Sequence, residues 1–316
     1  MTLTELRYIV AVARERHFGR AAEACFVSQP TLSVAIRKLE EELDVTLFER
    51  GTNEVSLTPI GERIVEQAQR VLEETSAIRQ LAEQGKDPLV GPLRLGVIYT
   101  IGPYLLPRLI PILHKRAPRM SLLIEENFTA RLSELLKQGE LDVIVISLPF
   151  SEPGIITHAL YDEPFQIIFP ADHAWKMKKS IKPQEIAQDN LLLLGAGHCF
   201  RDQVLQACPE LNRFSAAPGS IQRTLEGSSL ETIRHMVASG AGVTVLPCTS
   251  MAGQPAESKL LAMRPFTAPV PTRRVALAWR KSFPRPQAVE VLHAAIQACP
   301  LGCVTMLNSL PQLPHS

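Results

Sequence analysis

No proline interrupts the chain between Pro59 and Pro88, and a run of that length with a start signal and a stop signal reads as one long helix. Thr58 offers an N-cap oxygen and Pro59 suits the first helical position. The stretch from Gly85 to Pro92 reads as a linker. Ile64, Ala68, Val71, Thr75, Ile78 and Ala82 recur at alternating steps of four and three, the spacing of a coiled-coil seam. Such a helix is expected to pair with its copy in a dimer rather than to lie on its own domain. It divides a chain of 316 residues, longer than one core usually supports. The expected parts are a small domain over 1–58, the linker helix over 59–87, a larger domain over 88–300 and a tail over 301–316 that frays after Pro300.

In the small domain, Leu6, Ile9, Val10 and Ala13 have helical spacing and a second helix runs through Arg20 to Ala24. From Phe18 to Leu39 the pattern is that of a helix-turn-helix. Ala21 and Ala22 permit close packing, Phe26-Val27 makes the turn and Ser28 caps the next helix. That helix is two-faced: Leu32, Ile36 and Leu39 form its buried side, leaving Gln29, Thr31, Ser33, Arg37 and Lys38 for other surfaces. Its first turn, Ser28-Gln29-Pro30-Thr31, suits a DNA major groove. Gln29 can reach adenine edges, Thr31 and Ser33 can serve bases or phosphates, and the helix N-terminus attracts a phosphate. Phe48-Glu49-Arg50, Gly51-Thr52-Asn53 and Val55-Ser56-Leu57 read as a wing hairpin, with Arg50 against the DNA backbone.

Charge does not make this case. The net charge is +1, and residues 1–58 hold seven Arg/Lys against nine Asp/Glu; Glu40, Glu41, Glu42 and Asp44 are expected to face away from DNA. A hairpin of helices that merely packs is the competing reading of the spacing.

From Leu93 onward β-rich runs alternate with helical ones: Leu93 to Ile98, Leu105 to His114, Ser121 to Glu125, Arg131 to Gln138, Asp142 to Ile146. That order predicts a parallel α/β sheet. Runs at Gln166 to Phe169, Leu191 to Leu194, Val243 to Leu246 and Val275 to Trp279 predict a second lobe and a cleft between the two. Thr100 and Thr129 each follow a predicted strand, where ligands of such folds bind.

The N-terminus has neither the basic start nor the apolar core of a signal peptide, and no charge-free stretch is long enough to span a bilayer. A cytoplasmic protein without a membrane partner is expected, with its thiols normally reduced. Six cysteines, at 25, 199, 208, 248, 299 and 303, form no disulfide scaffold, and the absence of a Cys-x-x-Cys pair leaves no case for a metal. No cofactor is indicated.

Cys199 falls where the run Leu191 to Leu194 hands over to a helix start. A helix N-terminus, with His198 and Arg201 alongside, favours the thiolate that attacks peroxide; an inert, packed cysteine is the plain alternative. Cys208 lies nine residues later, on the apolar side with Phe200 and Val204. A continuous helix would hold the two Cα atoms about 13 Å apart, and a disulfide needs them within about 7 Å. If the two join, the helix between them must unwind.

Ala21-Ala22, Val27-Ser28-Gln29-Pro30-Thr31-Leu32-Ser33, Ile36-Arg37-Lys38-Leu39-Glu40, Leu47-Phe48-Glu49-Arg50 and Leu57-Thr58-Pro59 closely resemble the LysR-type transcriptional regulators, and the likeness extends across nearly the whole chain. It implies an α/β protein: an N-terminal winged helix-turn-helix and linker helix, then a two-lobed, periplasmic-binding-protein-like regulatory domain. It further implies promoter DNA and RNA polymerase as partners, and assembly into dimers and tetramers. Gly197-His198-Cys199-Phe200-Arg201-Asp202-Gln203, Cys208, Thr100-Ile101-Gly102-Pro103-Tyr104, Glu125-Glu126-Asn127-Phe128-Thr129 and Ser228-Ser229-Leu230-Glu231-Thr232 are similar to the members that sense hydrogen peroxide. By that resemblance Cys199 reacts with peroxide and Cys208 closes a disulfide. Thr100, Thr129, His198 and Asp202 would hold peroxide and water, with Arg201 as an electrostatic helper. Cys299 and Cys303 read as incidental, Cys25 as packed in the small domain, and Cys248 as lacking polar company.

The expected function is a peroxide-responsive, DNA-binding regulator rather than an enzyme. The competing readings are a regulator with a small organic ligand in the interlobe cleft and structural cysteines, a thiol peroxidase, and a solute-binding protein.

Overall fold

The computed structural model describes residues 1–50, 55–84, 87–209, 224–252 and 259–307. The chain divides into two compact units, one chiefly of residues 1–85 and one chiefly of residues 86–316.

The first unit is built on three helices, α1 (Leu3–Glu15), α2 (Phe18–Ala24) and α3 (Gln29–Leu43), a hairpin of β1 (Phe48–Arg50) and β2 (Val55–Leu57), and the long α4 (Pro59–Gln84). Thr2 and Glu5 close a capping box at the start of α1, each accepting the other's backbone N–H. Leu6, Ile9, Val12, Ala21, Leu32, Ile36 and Leu39 form the core, and full burial of each large aliphatic side chain contributes about 1.5–3 kcal/mol. The turn before α3 contains Phe26 in the left-handed region, φ 57°. The expected seam of α4 divides: Ala68 is buried inside this unit's own core together with Val65, whereas Val71 and Ile78 are exposed. The helix therefore serves its own domain over its first turns and leaves an apolar stripe free beyond them; the Ala82 side chain lies outside the described residues.

The second unit holds a continuous sheet through two lobes. Its strands are β3 (Leu93–Ile98), β4 (Leu122–Asn127), β5 (Val143–Ser147), β6 (Ile155–Pro170), β7 (Leu191–Leu194), β8 (Thr224–Gly227), β9 (Val243–Pro247), β10 (Leu261–Pro265), β11 (Thr272–Arg280) and β12 (Thr305–Met306). They lie in the order β4-β3-β5-β11-β6-β9-β7-β8, with β10 and β12 also on β6. The predicted parallel order holds for β4-β3-β5 and for β8-β7-β9. It fails at the centre, where β6 and β11 run antiparallel to each other and to their neighbours.

Helices α5 (Gly102–Arg116), α6 (Thr129–Lys137) and α10 (Pro286–Gln297) accompany the first lobe, whose core contains Leu95, Val97, Ile144, Leu109, Leu132 and Leu292. The short α7 (Pro183–Ile186), with α8 (Cys199–Ala207) and α9 (Leu230–Ala238), belongs to the second, with Ile167, Leu192, Val245, Phe200, Val204 and Cys208 in its core.

The expectation of a frayed tail is overturned over its first residues. Leu301 is buried, β12 pairs with Tyr161 and Asp162 of β6, and Leu307 donates its N–H to Leu160 O at 2.9 Å. Cys303, expected to be incidental, is disulfide-bonded to Cys248, expected to lack polar company. Pro300 and Gly302 end α10's direction of travel without ending ordered structure.

Candidate functional site

Strand β7 ends at Leu194, and Gly197, at φ 95°, turns the chain into α8. That conformation suits a residue without Cβ, and a Cβ there would touch the Phe128 ring at 3.4 Å. The turn sets His198 as N-cap and Cys199 as the first residue of α8. Opposite it, the ends of β3 and β4 bring Thr100 and Thr129. Thr100, Thr129, His198 and Cys199 line one cavity of about 10 Å³, on the order of the space that a single water requires. Tyr99, Phe128 and His198 stack edge to face over it, with centroids 4.8–5.9 Å apart, so a small polar pocket is enclosed by aromatic rings.

The polar atoms of the cavity differ in their commitments. Thr129 Oγ1 is buried and has no partner among the described residues; a buried hydroxyl of this kind costs about 1–3 kcal/mol until something bonds it. Thr100 Oγ1 accepts from Arg273 Nη1 at 2.8 Å, which leaves its own O–H to donate elsewhere. The His198 ring donates to Ser228 O, and burial, the larger influence, lowers its pKa. His198 is thus held as a neutral imidazole with one tautomer favoured.

Arg273 belongs to a buried network joining the lobes. Its Nε donates to Glu163 Oε2 at 2.7 Å and its Nη2 to Thr100 O at 2.9 Å. Glu163 Oε1 accepts the Thr249 N–H at 3.0 Å and the Thr249 hydroxyl. The guanidinium also lies 5.1 Å from the Phe200 ring centroid, one residue from Cys199.

Cys208 caps the far end of α8 and is fully buried, whereas Cys199 is partly exposed; neither belongs to a disulfide. Continuous helix across this interval keeps the Cα atoms about 13 Å apart. The structure does not bring Arg201 and Asp202 into the cavity. Arg201 Nη1 donates to Leu194 O at 2.7 Å, holding the end of β7, and Asp202 is exposed on the first turn of α8. Glu163 and Arg273 escape sequence reasoning, although Arg273 is in alternation phase with Val275 and Leu277, which are also buried. Gln203 Nε2 donates to Ser147 Oγ at 2.8 Å, and beyond it lies a second, open cleft of about 860 Å³ lined by Phe150, Gln203, Gln206 and Arg274.

In the first unit, Ser28 caps α3 by accepting the Thr31 N–H at 3.3 Å, and its hydroxyl lies 2.8 Å from Thr31 Oγ1. Pro30 occupies the first turn. Gln29, Thr31, Arg37 and Lys38 are exposed and Ser33 is half-buried, opposite the fully buried Leu32, Ile36 and Leu39. Glu40 fastens α3 to the hairpin, because its Oε1 accepts the N–H groups of Leu47 at 2.7 Å and Phe48 at 3.3 Å. The Arg50 side chain and the hairpin tip, Gly51-Thr52-Asn53, lie outside the described residues. Among the described residues no cluster suits a metal, and no helix is long and apolar enough to cross a membrane.

Residues 3–62 match the bacterial regulatory helix-turn-helix protein, lysR family, and residues 86–299 match the LysR substrate binding domain. The DNA-binding transcriptional dual regulator OxyR of Escherichia coli (strain K12) is 39% identical over 300 residues, which are 94% of this chain and 95% of that protein. The hydrogen peroxide-inducible genes activator of Pectobacterium carotovorum subsp. carotovorum is 40% identical over 98% of this chain and 100% of its own. Among solved structures, a full-length cysteine-to-aspartate variant of OxyR from Pseudomonas aeruginosa is 55% identical, with a TM-score of 0.75 over 98% of this chain and 99% of that one. A hydrogen-peroxide-bound cysteine-to-serine variant of OxyR from Corynebacterium glutamicum is 33% identical, with a TM-score of 0.61 over 94% and 91%.

Proposed function

Because this chain belongs to the LysR family of transcriptional regulators, in the branch formed by the OxyR proteins, we propose that it is a peroxide-responsive regulator of oxidative-stress genes, switched by a Cys199–Cys208 disulfide. One observation supports this most: a partly exposed thiol borders an aromatic-walled cavity with an uncommitted threonine hydroxyl, while a second thiol is packed at the far end of the same helix.

The Cys199 thiolate attacks one peroxide oxygen and the O–O bond breaks. The departing oxygen takes a proton and leaves as water, and sulfur carries the sulfenic acid. Thr129 Oγ1 and the O–H of Thr100 would bond the peroxide, and neutral His198 would close the pocket's wall. The Cys208 thiol then attacks the sulfenic sulfur, releasing a second water. That step requires α8 to unwind and Cys208 to leave the core around Phe200 and Val204, which turns chemistry into a change of shape. Arg201 and Asp202, outside the cavity at the first turn of α8, would act on the electrostatics of the helix start rather than as ligands.

On the DNA side, Ser28, Gln29, Pro30, Thr31 and Ser33 would enter the major groove, with Arg37, Lys38 and Arg50 on the backbone. The exposed Val71 and Ile78 of α4 support a dimer; assembly to a tetramer, contact with RNA polymerase and a cytoplasmic site of action are part of the same proposal, for which family membership is the support. The same membership makes it a transcriptional regulator.

Peptide mapping after mild peroxide treatment tests the switch: a Cys199–Cys208 cross-link is expected, and finding the two unlinked refutes it. A second reading draws on the 860 Å³ cleft, which has room for an organic ligand. An unchanged response to such a ligand in Cys199→Ser would favour it.

A further inference from the structure

We propose that Cys248 and Cys303 form a second redox site, independent of Cys199, which latches the segment 301–307 onto the strand shared by the two lobes. The paired thiols are 55 residues apart in sequence and have Cα atoms 6.1 Å apart, inside the range a disulfide spans. Nothing need unfold for them to join. This separates the pair from Cys199 and Cys208, whose union dismantles a helix.

Each partner sits on a well-anchored element. Cys248, 2% exposed, opens the 3₁₀ turn Cys248–Met251 directly after β9. Its neighbour Thr249 bonds Glu163, the carboxylate that holds Arg273. Cys303, partly exposed, precedes β12, whose two residues pair with Tyr161 and Asp162, just before Glu163 on the same strand. The cross-link therefore ties the segment to both sides of the point where β6 passes from one lobe to the other. Without it the segment keeps the short β12 pairing, the Leu307 bond to Leu160 O, and the Gln297 amide's bond to Leu307 O at 3.1 Å.

Oxidation here balances with a hydroperoxide as the oxidant. The more accessible Cys303 thiolate attacks a peroxide oxygen, the O–O bond breaks and one water or alcohol leaves. The Cys248 thiol then displaces the sulfenic oxygen as water, so two thiols lose two electrons and the peroxide gains them. In a reducing compartment such a bond is transient, so the site reports oxidation rather than serving as a permanent staple. Cys299 is no competitor: it is buried in α10's trailing turn, its Sγ faces Ala295 O at 3.3 Å, and burial pushes its pKa up to about 11.

The test uses the full-length Cys199→Ser protein, first reduced and then treated with hydrogen peroxide, with differential alkylation and peptide mapping. The expected result is a linked pair of peptides containing Cys248 and Cys303 and the loss of two further thiols. Both cysteines remaining alkylatable, or Cys303 joined to any other cysteine, overturns the proposal. In the same background, amide exchange over residues 301–307 should slow about tenfold or more on oxidation, given the stabilisation a loop of this length confers. Adding Cys303→Ser should abolish that difference; an identical slowing with the serine present overturns the latch. Because Cys199 is absent throughout, failure here leaves the Cys199–Cys208 switch untouched.

Discussion

Replacing Arg273 by methionine should be among the most damaging single changes in the regulatory unit, although the residue lies on no surface. The side chains of Arg273 and Glu163 are both 0% exposed. The substitution leaves the Glu163 carboxylate with Thr249 alone for company and strips two acceptor atoms of Thr100 of their donor. Breaking one side of a buried ion pair costs about 3–5 kcal/mol, enough to move a urea midpoint by more than about 1 M at ordinary slopes. Removing both charges, with Arg273→Met and Glu163→Leu, leaves the Thr249 donors and the Thr100 acceptors without these partners, at about 1–3 kcal/mol for each buried group, but no unpaired buried charge. The double variant should therefore be more stable than the Arg273→Met protein. Trp279 reports on the first lobe's core and Trp175 on the second's, so variants retaining one tryptophan can follow each by fluorescence. Both should lose stability together, since the network bonds residues of both lobes. A cost of less than about 1 kcal/mol for Arg273→Met, or simple additivity of the two substitutions, would refute the buried ion pair as the source of the effect.

Thr129→Val should not destabilise the protein and should raise its stability by up to about 1–3 kcal/mol, because a methyl replaces a buried hydroxyl without a partner among the described residues, yet slow thiol loss to peroxide by about tenfold or more; stopped-flow rates equal to the parent's would remove Thr129 from the reaction. Burial depresses the His198 pKa from its ordinary 6.5, so the unfolded chain takes up the proton first as pH falls. The contribution of this group to stability is then full above that value and declines as pH drops from 6.5 through the folded pKa. An NMR titration midpoint for His198 above 6.5 would contradict this. Gly61→Ala should destabilise the DNA-binding unit by about 1–3 kcal/mol, since its Cβ would stand 2.2 Å from Leu47 O; an unchanged melting curve would show that α4 and the hairpin can move apart.

Much of this architecture can be read before any coordinates exist, and the reasons are local. The i, i+4, i+7 stripe of Leu32, Ile36 and Leu39 has one solution, and all three are fully buried. Thr58 and Pro59 start α4 where capping chemistry puts it. Strands β3, β5, β7 and β9 announce themselves as apolar runs. The first ten residues of β6 do not, because His158, Asp162, Glu163 and Pro164 interrupt its pattern, and a proline normally argues against a strand. Alternation puts Arg273 in phase with Val275 and Leu277, but an arginine is held inside only by a partner, and Glu163, 110 residues away, is one that no local rule supplies. Cys248 and Cys303 are likewise invisible as a pair, since spacing over 55 residues carries no geometric information. The site shows the same division: Thr100, Thr129, His198 and Cys199 sit at ends of elements that the sequence marks, whereas Arg201 and Asp202 belong with them in sequence and not in space.

Strand β6 runs unbroken for 16 residues, its first part hydrogen-bonded along β11 and its last along β9 and β10. It acts as a torsion bar common to two blades. Neither blade can roll without twisting that bar, and the twist must be greatest around Glu163 and Pro164, where one set of neighbours gives way to the next. The nine-residue helix α8 meets that bar through Phe200, whose ring packs edge to face on Phe165 of β6 with centroids 5.0 Å apart.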